Sequence, residues 1–420
     1  MKDNGIEWIG EIPEGWEIKY FVQLFSQVKN KNIGLREKNL LSLSYGKIKQ
    51  KSIETVGGLL PDNFEGYNII DSNDIVLRLT DLQNDQHSLR VGLSHERGII
   101  TSAYCSIRVR GAESPNYLYY YLHTFDIAKG FYGMGSGVRQ GLNWDGLKYI
   151  KILLPPQHEQ DRISIFLNQK TLEIDSMLSK TISSIEEYKK LKQAVITQAV
   201  TKGVRGEREM KNSGVEWIGE IPKEWVCEKI KYATSISRGL FNHRPRNDER
   251  YYNGKYPFIQ TGDVANATKY IVSYSQTLNE LGKSVSKEFP KGTLTMTIAA
   301  NVGDVAILNF DAYFPDSVVG FVPNKNIRTL YLFYVFSAMK DEFTRTAIKS
   351  TQLNLNIDRV KETFIPVTLN VNEQCEIENY LESKCAEIDE LIAKKEQLVK
   401  ELESYKKSLI YEVVTGKREV

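Results

Sequence analysis

The chain has 420 residues, of which 41% are hydrophobic and 26% charged, with a formal net charge of +2. That length allows two or three cores, and the composition is that of a folded globular protein, which excludes collagen-like and intrinsically disordered classes. A nearly neutral charge neither selects nor rules out a nucleic-acid partner.

The first recognisable piece is Gly5-Ile6-Glu7-Trp8-Ile9-Gly10-Glu11-Ile12-Pro13-Glu14-Gly15-Trp16. Two Trp residues in a short segment marked by Pro and Gly read as anchors that lay a loop onto a core. A base-stacking platform is the competing reading. Residues 18–155 then alternate β-rich runs with turns. Ser42 to Ile48, Asp74 to Leu79 and Cys105 to Val109 are strand candidates, and Pro115 to Ala128 is a helix. The region closes on Leu142-Asn143-Trp144-Asp145-Gly146-Leu147-Lys148.

Glu159 to Gly203 reads as one long helix, without Pro or internal Gly and with Gly203 at its stop. Ile174, Met177, Tyr188, Leu191 and Val195 fall on a 3,4 alternation, the seam of a helix pair, while Leu178 and Ile185 widen the stripe. After the charged linker Lys202 to Asn212 the order begins again. The Trp box recurs from Gly214 to Trp225 with 9 of 12 residues identical. A second variable region, 227–366, has strand candidates at Thr293 to Ile298, Val305 to Leu308 and Val318 to Val322 and a helical stretch from Leu330 to Thr346. It closes on Leu355-Asn356-Ile357-Asp358-Arg359-Val360-Lys361.

The long helix also returns, 214 residues on and without a gap, from Glu373 to Lys417. Its seam reads Ile388, Leu391, Leu398, Leu402, Tyr405 and Leu409, flanked by Ile392 and Val399. Each rod of about 44 residues is roughly 65 Å long at 1.5 Å per residue. The expected fold class is α+β, with two mixed β-sheet domains separated by two long helices. Those helices pack along their seams as a duplicated pair. Scaffold kept alike around unlike centres implies one task performed twice with different specificities.

The enzyme motifs sought are absent. No Gly-x-Gly-x-x-Gly follows a strand, Gly133-Met134-Gly135-Ser136-Gly137 lacks a βαβ setting, and there is no P-loop. Leu154-Pro155-Pro156-Gln157 only faintly resembles the Asn/Asp-Pro-Pro-Tyr motif of adenine methyltransferases. His87, His95, His123, His158 and His243 have neither metal-ligand nor triad spacing. Cys105, Cys227, Cys375 and Cys385 show no zinc spacing. With no signal-peptide pattern at the start and an apolar run of only Leu330 to Met339, a reduced, cytoplasmic protein without a membrane span is expected.

The ordered combination resembles the specificity subunit of type I restriction–modification systems. It is carried by the Trp-Ile-Gly-Glu-Ile-Pro boxes, the helix starts Pro155-Pro156-Gln157-His158-Glu159-Gln160 and Glu373-Gln374, and the helix ends Ala199-Val200-Thr201-Lys202-Gly203 and Val413-Val414-Thr415-Gly416-Lys417. The second helix departs from the pattern by starting after Leu369-Asn370-Val371-Asn372. The resemblance implies target recognition domains in 1–155 and 207–368, each including its box, and conserved helices in 156–206 and 369–420. Each domain then reads one half of a bipartite double-stranded DNA target. The helices form an antiparallel coiled coil with an internal pseudo-two-fold repeat, set the spacer and dock two methyltransferase subunits, to which restriction subunits are added. The chain itself is non-catalytic and without cofactor or metal, with S-adenosylmethionine, ATP and Mg on the partners. A protein-interaction adaptor and an enzyme with a hidden nuclease or methylase remain as alternatives.

DNA contacts require cations and amides on loops or strands that reach a groove. Lys47, Lys49 and Lys51 alternate along one strand face, either against phosphate or as a solvated edge. Arg139 and Gln140 share the loop before the Leu-Asn phrase, and Lys349 and Gln352 stand at the same place in the second half. Arg238, Arg244 and Arg246 make the most basic loop of the chain.

Overall fold

The computed structural model describes residues 2–3, 5–6, 8–52, 63–85, 89–134, 141–346, 348–349 and 353–420. Contacts divide the chain into one unit of residues 1–182 with 396–420 and another of residues 183–395. Each long helix, Gln157–Lys202 and Val371–Val414, contributes residues to both units.

In the first unit a four-stranded sheet runs in the order Lys47–Lys51, Leu40–Ser44, Gly98–Ile100, Asn68–Ile70. A second runs Phe25–Gln27, Cys105–Val109, Ile75–Leu77, Val91–Leu93. The short strands are apolar runs because several are covered on both faces: Ile75, Val76 and Leu77 are all buried. Ser42 to Ile48, expected as one strand, is a hairpin. Tyr45 and Gly46 both take positive φ, 47° and 75°, and turn the chain between Leu40–Ser44 and Lys47–Lys51.

Helix α1, Pro115–Ile127, starts with Pro at its first turn behind a Ser114 cap and buries Tyr117, Leu118, Tyr121 and Leu122. It shares a core with Ile163, Leu167 and Ile174 of α2 (Gln157–Lys202) and with Leu409, Ile410, Val413 and Val414 near the end of the second long helix. The strand Glu17–Tyr20 pairs with Lys151–Leu154 and ties the box to the start of α2.

The second unit has a five-stranded sheet ordered Thr234–Arg238, Val318–Pro323, Leu294–Thr297, Val305–Leu308, Tyr270–Ile271. Its companion sheet is ordered Gln276–Leu278, Tyr252–Phe258, Ala312–Tyr313, Glu288–Phe289. Helix α3, Thr329–Ala338, ends at Met339, and a second helical segment, Lys340–Thr346, follows. The stretch expected as one helix is thus broken, which lets Phe343 pack edge-on against Phe336 at 5.8 Å. The strand Val226–Lys229 pairs with Phe364–Val367 and leads into α4, Val371–Val414.

The helix seam lies one position away from several of the residues expected there. Met177 is 54% exposed, Leu191 49%, Leu391 40%, Leu398 42% and Tyr405 47%. The covered positions on α2 are Ile174, Leu178, Thr181, Ile185, Tyr188, Lys192, Val195 and Ala199. On α4 they are Ile388, Ile392, Lys395, Val399, Leu402, Lys406, Leu409 and Val413. Of the other residues expected on the seam, Ile174, Ile388 and Leu409 are buried and Tyr188, Val195 and Leu402 partly buried. At Leu191/Lys192 and Tyr405/Lys406 the seam takes the lysine, because its stem lies along the stripe while its ammonium reaches an aspartate. Lys192 Nζ is 2.6 Å from Asp389 Oδ2 in the second unit, and Lys406 Nζ is 2.6 Å from Asp175 Oδ1 in the first.

Candidate nucleic-acid interface

Both units hang their variable parts on the same anchor. Trp16 Nε1 donates to Glu159 Oε2 at 2.9 Å, and Trp225 Nε1 donates to Glu373 Oε2 at 3.1 Å. The next residue of each helix repeats a second clasp. Gln160 accepts from the Ser114 amide and donates to the Pro155 carbonyl, while Gln374 accepts from the Arg328 amide and donates to the Thr368 carbonyl. The second tryptophan of each box is thus buried scaffold rather than a stacking surface, Trp16 being 4% exposed and Trp225 0%, while Trp8 and Trp217 are partly buried against the same cores.

In the second unit, the helical turn Ile230–Ala233 leads into the strand Thr234–Arg238, and the basic loop follows. Gly239 N donates to Val318 O at 2.9 Å and Leu240 N to Phe314 O at 3.0 Å. A Cβ at Gly239 would stand 2.2 Å from Pro315 O and 2.4 Å from Phe314 O, so only glycine fits. Phe241 then returns to the core, stacked on Tyr252.

This backbone brings Asp316 beneath three arginines. Arg238 Nε donates to the Asp316 carbonyl at 2.6 Å, Arg246 pairs with the Asp316 carboxylate, and Arg244 Nη2 lies 3.7 Å from its other oxygen. Arg244 also donates to Phe241 O at 2.7 Å and His243 O at 2.8 Å. The side chains of Arg244 and Arg246 remain about half exposed, at 56% and 45%. A cleft opens beside them with Arg246, Asn247, Gln260, Gln276 and Ser317 on its walls. Gln260 Nε2 donates to Gln276 Oε1 at 2.9 Å. Guanidinium and amide side chains on one concave surface are the groups that recognise guanine and adenine edges.

In the first unit, Lys47, Lys49 and Lys51 share one face of an edge strand. Lys47 is committed elsewhere: its Nζ lies 2.7 Å from Asp175 Oδ2. Burial pushes the Asp175 carboxyl up, but Lys406 and Lys47 outweigh it and hold it below the ordinary carboxylate value. Lys49 and Lys51 are exposed, with no ion pair among the described residues.

A basic loop that the sequence reading passed over follows the strand Phe25–Gln27, with Lys29, Arg36 and Lys38 exposed. It occupies the same place as the Arg238–Arg246 loop, after a four-residue helical turn and a strand. That shared position is the signal that would have located it. Arg139, Gln140 and Gln352 lie outside the described residues, as does His87. Lys349 sits on the short strand Ile348–Lys349, which pairs with Leu353–Asn354.

Among the described residues no group of His, Cys, Asp and Glu is placed to hold a metal ion. His123 is buried beside Tyr119, and burial, aided by Lys406 and Lys407, lowers its imidazole to about 4. Burial pushes the Cys105 thiol up to about 11, which makes it a poor nucleophile. No described helix is long and apolar enough to cross a membrane.

Residues 236–401, which contain this loop and cleft, match the family described as type I restriction modification DNA specificity domain. The type I restriction enzyme MjaVIII specificity subunit of Methanocaldococcus jannaschii is 24% identical, over 97% of this chain and 93% of its own length. The MjaX specificity subunit of the same organism is 24% identical over 97% of this chain and 95% of its own. A chain from a structural study of complex assembly and conformational transition of the type I R-M system has a TM-score of 0.74 at 15% identity. It covers 97% of this chain and 100% of that one. The HsdS subunit from Thermoanaerobacter tengcongensis has a TM-score of 0.53 at 15% identity, covering 100% of both. These structural likenesses run over nearly the whole chain and show its fold.

Proposed function

We propose that this chain, which carries a type I restriction modification DNA specificity domain, is the DNA sequence-specificity subunit of a type I restriction–modification complex. Each unit reads one half of a bipartite target. The observation that carries this reading is the juxtaposition of Arg238, Arg244 and Arg246 with the amides of Gln260 and Gln276 inside the matched region. Phosphate contacts from the arginines set position, and the amides discriminate bases. Lys49, Lys51 and the loop Lys29, Arg36, Lys38 take the same part in the first unit.

The long helices form an antiparallel coiled coil with an internal pseudo-two-fold repeat and so set the spacer. This is supported by two ion pairs: Asp175 with Lys406, and Asp389 with Lys192, are the same repeat positions with the copies exchanged. Ile165 at 69% and Leu172 at 71% exposure, seven residues apart on one face of α2, leave apolar surface that fits docked methyltransferase subunits. Restriction subunits join that core. Catalysis, with S-adenosylmethionine, ATP and Mg, belongs to those partners, and the complex acts in the cytoplasm.

The test is to exchange residues 18–155 for those of a relative and sequence the methylated motif in a host that also expresses the methyltransferase. One half of the motif changes and the other persists. A change in both halves, or no dependence of methylation on this chain, overturns the reading.

A further inference from the structure

Among the described residues Asp316 is the one that touches all three arginines of the basic loop, and other contacts than its carboxylate hold the loop backbone. Gly239 and Leu240 are held by backbone bonds to Val318 and Phe314, Phe241 is buried, and Arg238 is held by the Asp316 carbonyl. The carboxylate itself serves only Arg246 and Arg244. Those two are the arginines left half exposed beside the amide-lined cleft.

A guanidinium fork accepts a carboxylate or a phosphate in the same geometry, with two parallel N–H donors aimed at two oxygens. We propose that Asp316 is a specificity-determining residue that stands between Arg244 and Arg246 where a DNA phosphate binds, so that DNA must displace it. The proposal rests on the DNA-reading function above. Backbone phosphates are the same in every duplex, so affinity from phosphate contacts alone carries no sequence information. A built-in anion that competes for those contacts lowers binding to every sequence, and only a duplex that gives the displaced carboxylate a donor of its own at the cleft, as a cytosine amino group does, recovers the loss. Asp316 thereby widens the gap between the right sequence and the wrong one.

The test uses the complex reconstituted with its methyltransferase subunits and two labelled duplexes, one carrying the motif methylated in the host and one scrambled. Binding is measured by fluorescence anisotropy at two salt concentrations for the wild type, Asp316→Asn and Asp316→Glu. Asp316→Asn is expected to tighten binding of the scrambled duplex roughly five- to tenfold and to steepen its salt dependence by about one unit per released arginine. The motif duplex tightens less, so the ratio between them falls, and Asp316→Glu restores it. Equal tightening of both duplexes, or weaker binding of both with Asp316→Asn, overturns the proposal. A wild-type complex that binds neither duplex overturns the DNA-reading function itself.

Discussion

Trp225 donates its indole N–H to Glu373 at 3.1 Å, and the accepting carboxylate is 1% exposed. Thr368 Oγ1 at 3.0 Å and Arg208 Nη1 at 2.6 Å complete the shell of that buried anion. The contact joins the start of a variable region to the start of the helix that follows it, 148 residues away in sequence. It therefore fixes how the second reader leaves its scaffold. A hydrogen bond to a buried charged group contributes about 1.5–3 kcal/mol. A double-mutant cycle of Trp225→Phe and Glu373→Gln, followed by denaturant unfolding, should show a coupling of that size. Strictly additive effects would make the bond a bystander.

Arg244 and Arg246 together should account for about two units of the salt dependence of DNA binding, since each phosphate contact adds roughly 0.9. The measurement is the slope of affinity against salt for Arg244→Ala/Arg246→Ala in the reconstituted complex. An unchanged slope would leave the loop as a solvated charge cluster.

Gly239→Ala forces the Phe314 and Pro315 carbonyls away from a Cβ that would stand 2.4 and 2.2 Å from them. Overpacking of this kind costs about 1–3 kcal/mol. Thermal unfolding should show the loss, and DNA affinity should fall because the displaced backbone no longer seats Arg238, Arg244 and Arg246 beside the cleft. Stability equal to the wild type would mean that the two segments separate freely.

His123 makes stability depend on pH. Its folded-state value of about 4 lies below the ordinary 6.5, so the unfolded chain binds the proton first as pH falls. Its contribution is whole above pH 6.5 and is lost as pH falls towards 4. By pH 5 the loss is about 2 kcal/mol, at 1.36 kcal/mol per pKa unit. His123→Phe keeps a ring beside Tyr119 and should remove that part of the pH dependence. Parallel melting-temperature curves for variant and wild type between pH 7 and 5 would exclude the histidine as the source.

The repeated boxes, both long helices and the Cys105–Val109 strand were legible because each is written in neighbouring residues: a Pro- and Gly-marked phrase, a 3,4 period, and the alternation of Cys105, Ile107 and Val109 with Ser106 and Arg108. The seam was legible only to within one position. Leu191/Lys192 and Tyr405/Lys406 each offer an apolar and a basic side chain on adjacent ridges, and local hydrophobicity favours the apolar one. The choice fell to Asp389 and Asp175, which reward the lysine from the opposite helix. The hairpin at Tyr45-Gly46 was hidden because tyrosine is not a residue that announces positive φ.

The sequence by itself determined the doubled plan, the helices and the presence of a basic loop at Arg238 to Arg246. Only the tertiary structure decided that this loop closes on Asp316, which lies 70 residues from Arg246. It alone also decided that Lys47 is drawn to Asp175, 128 residues away. Local pattern records what a residue does with its neighbours along the chain. Pairing between distant charges depends on which backbone segments the cores bring within about 4 Å, and that distance is written only in the folded chain.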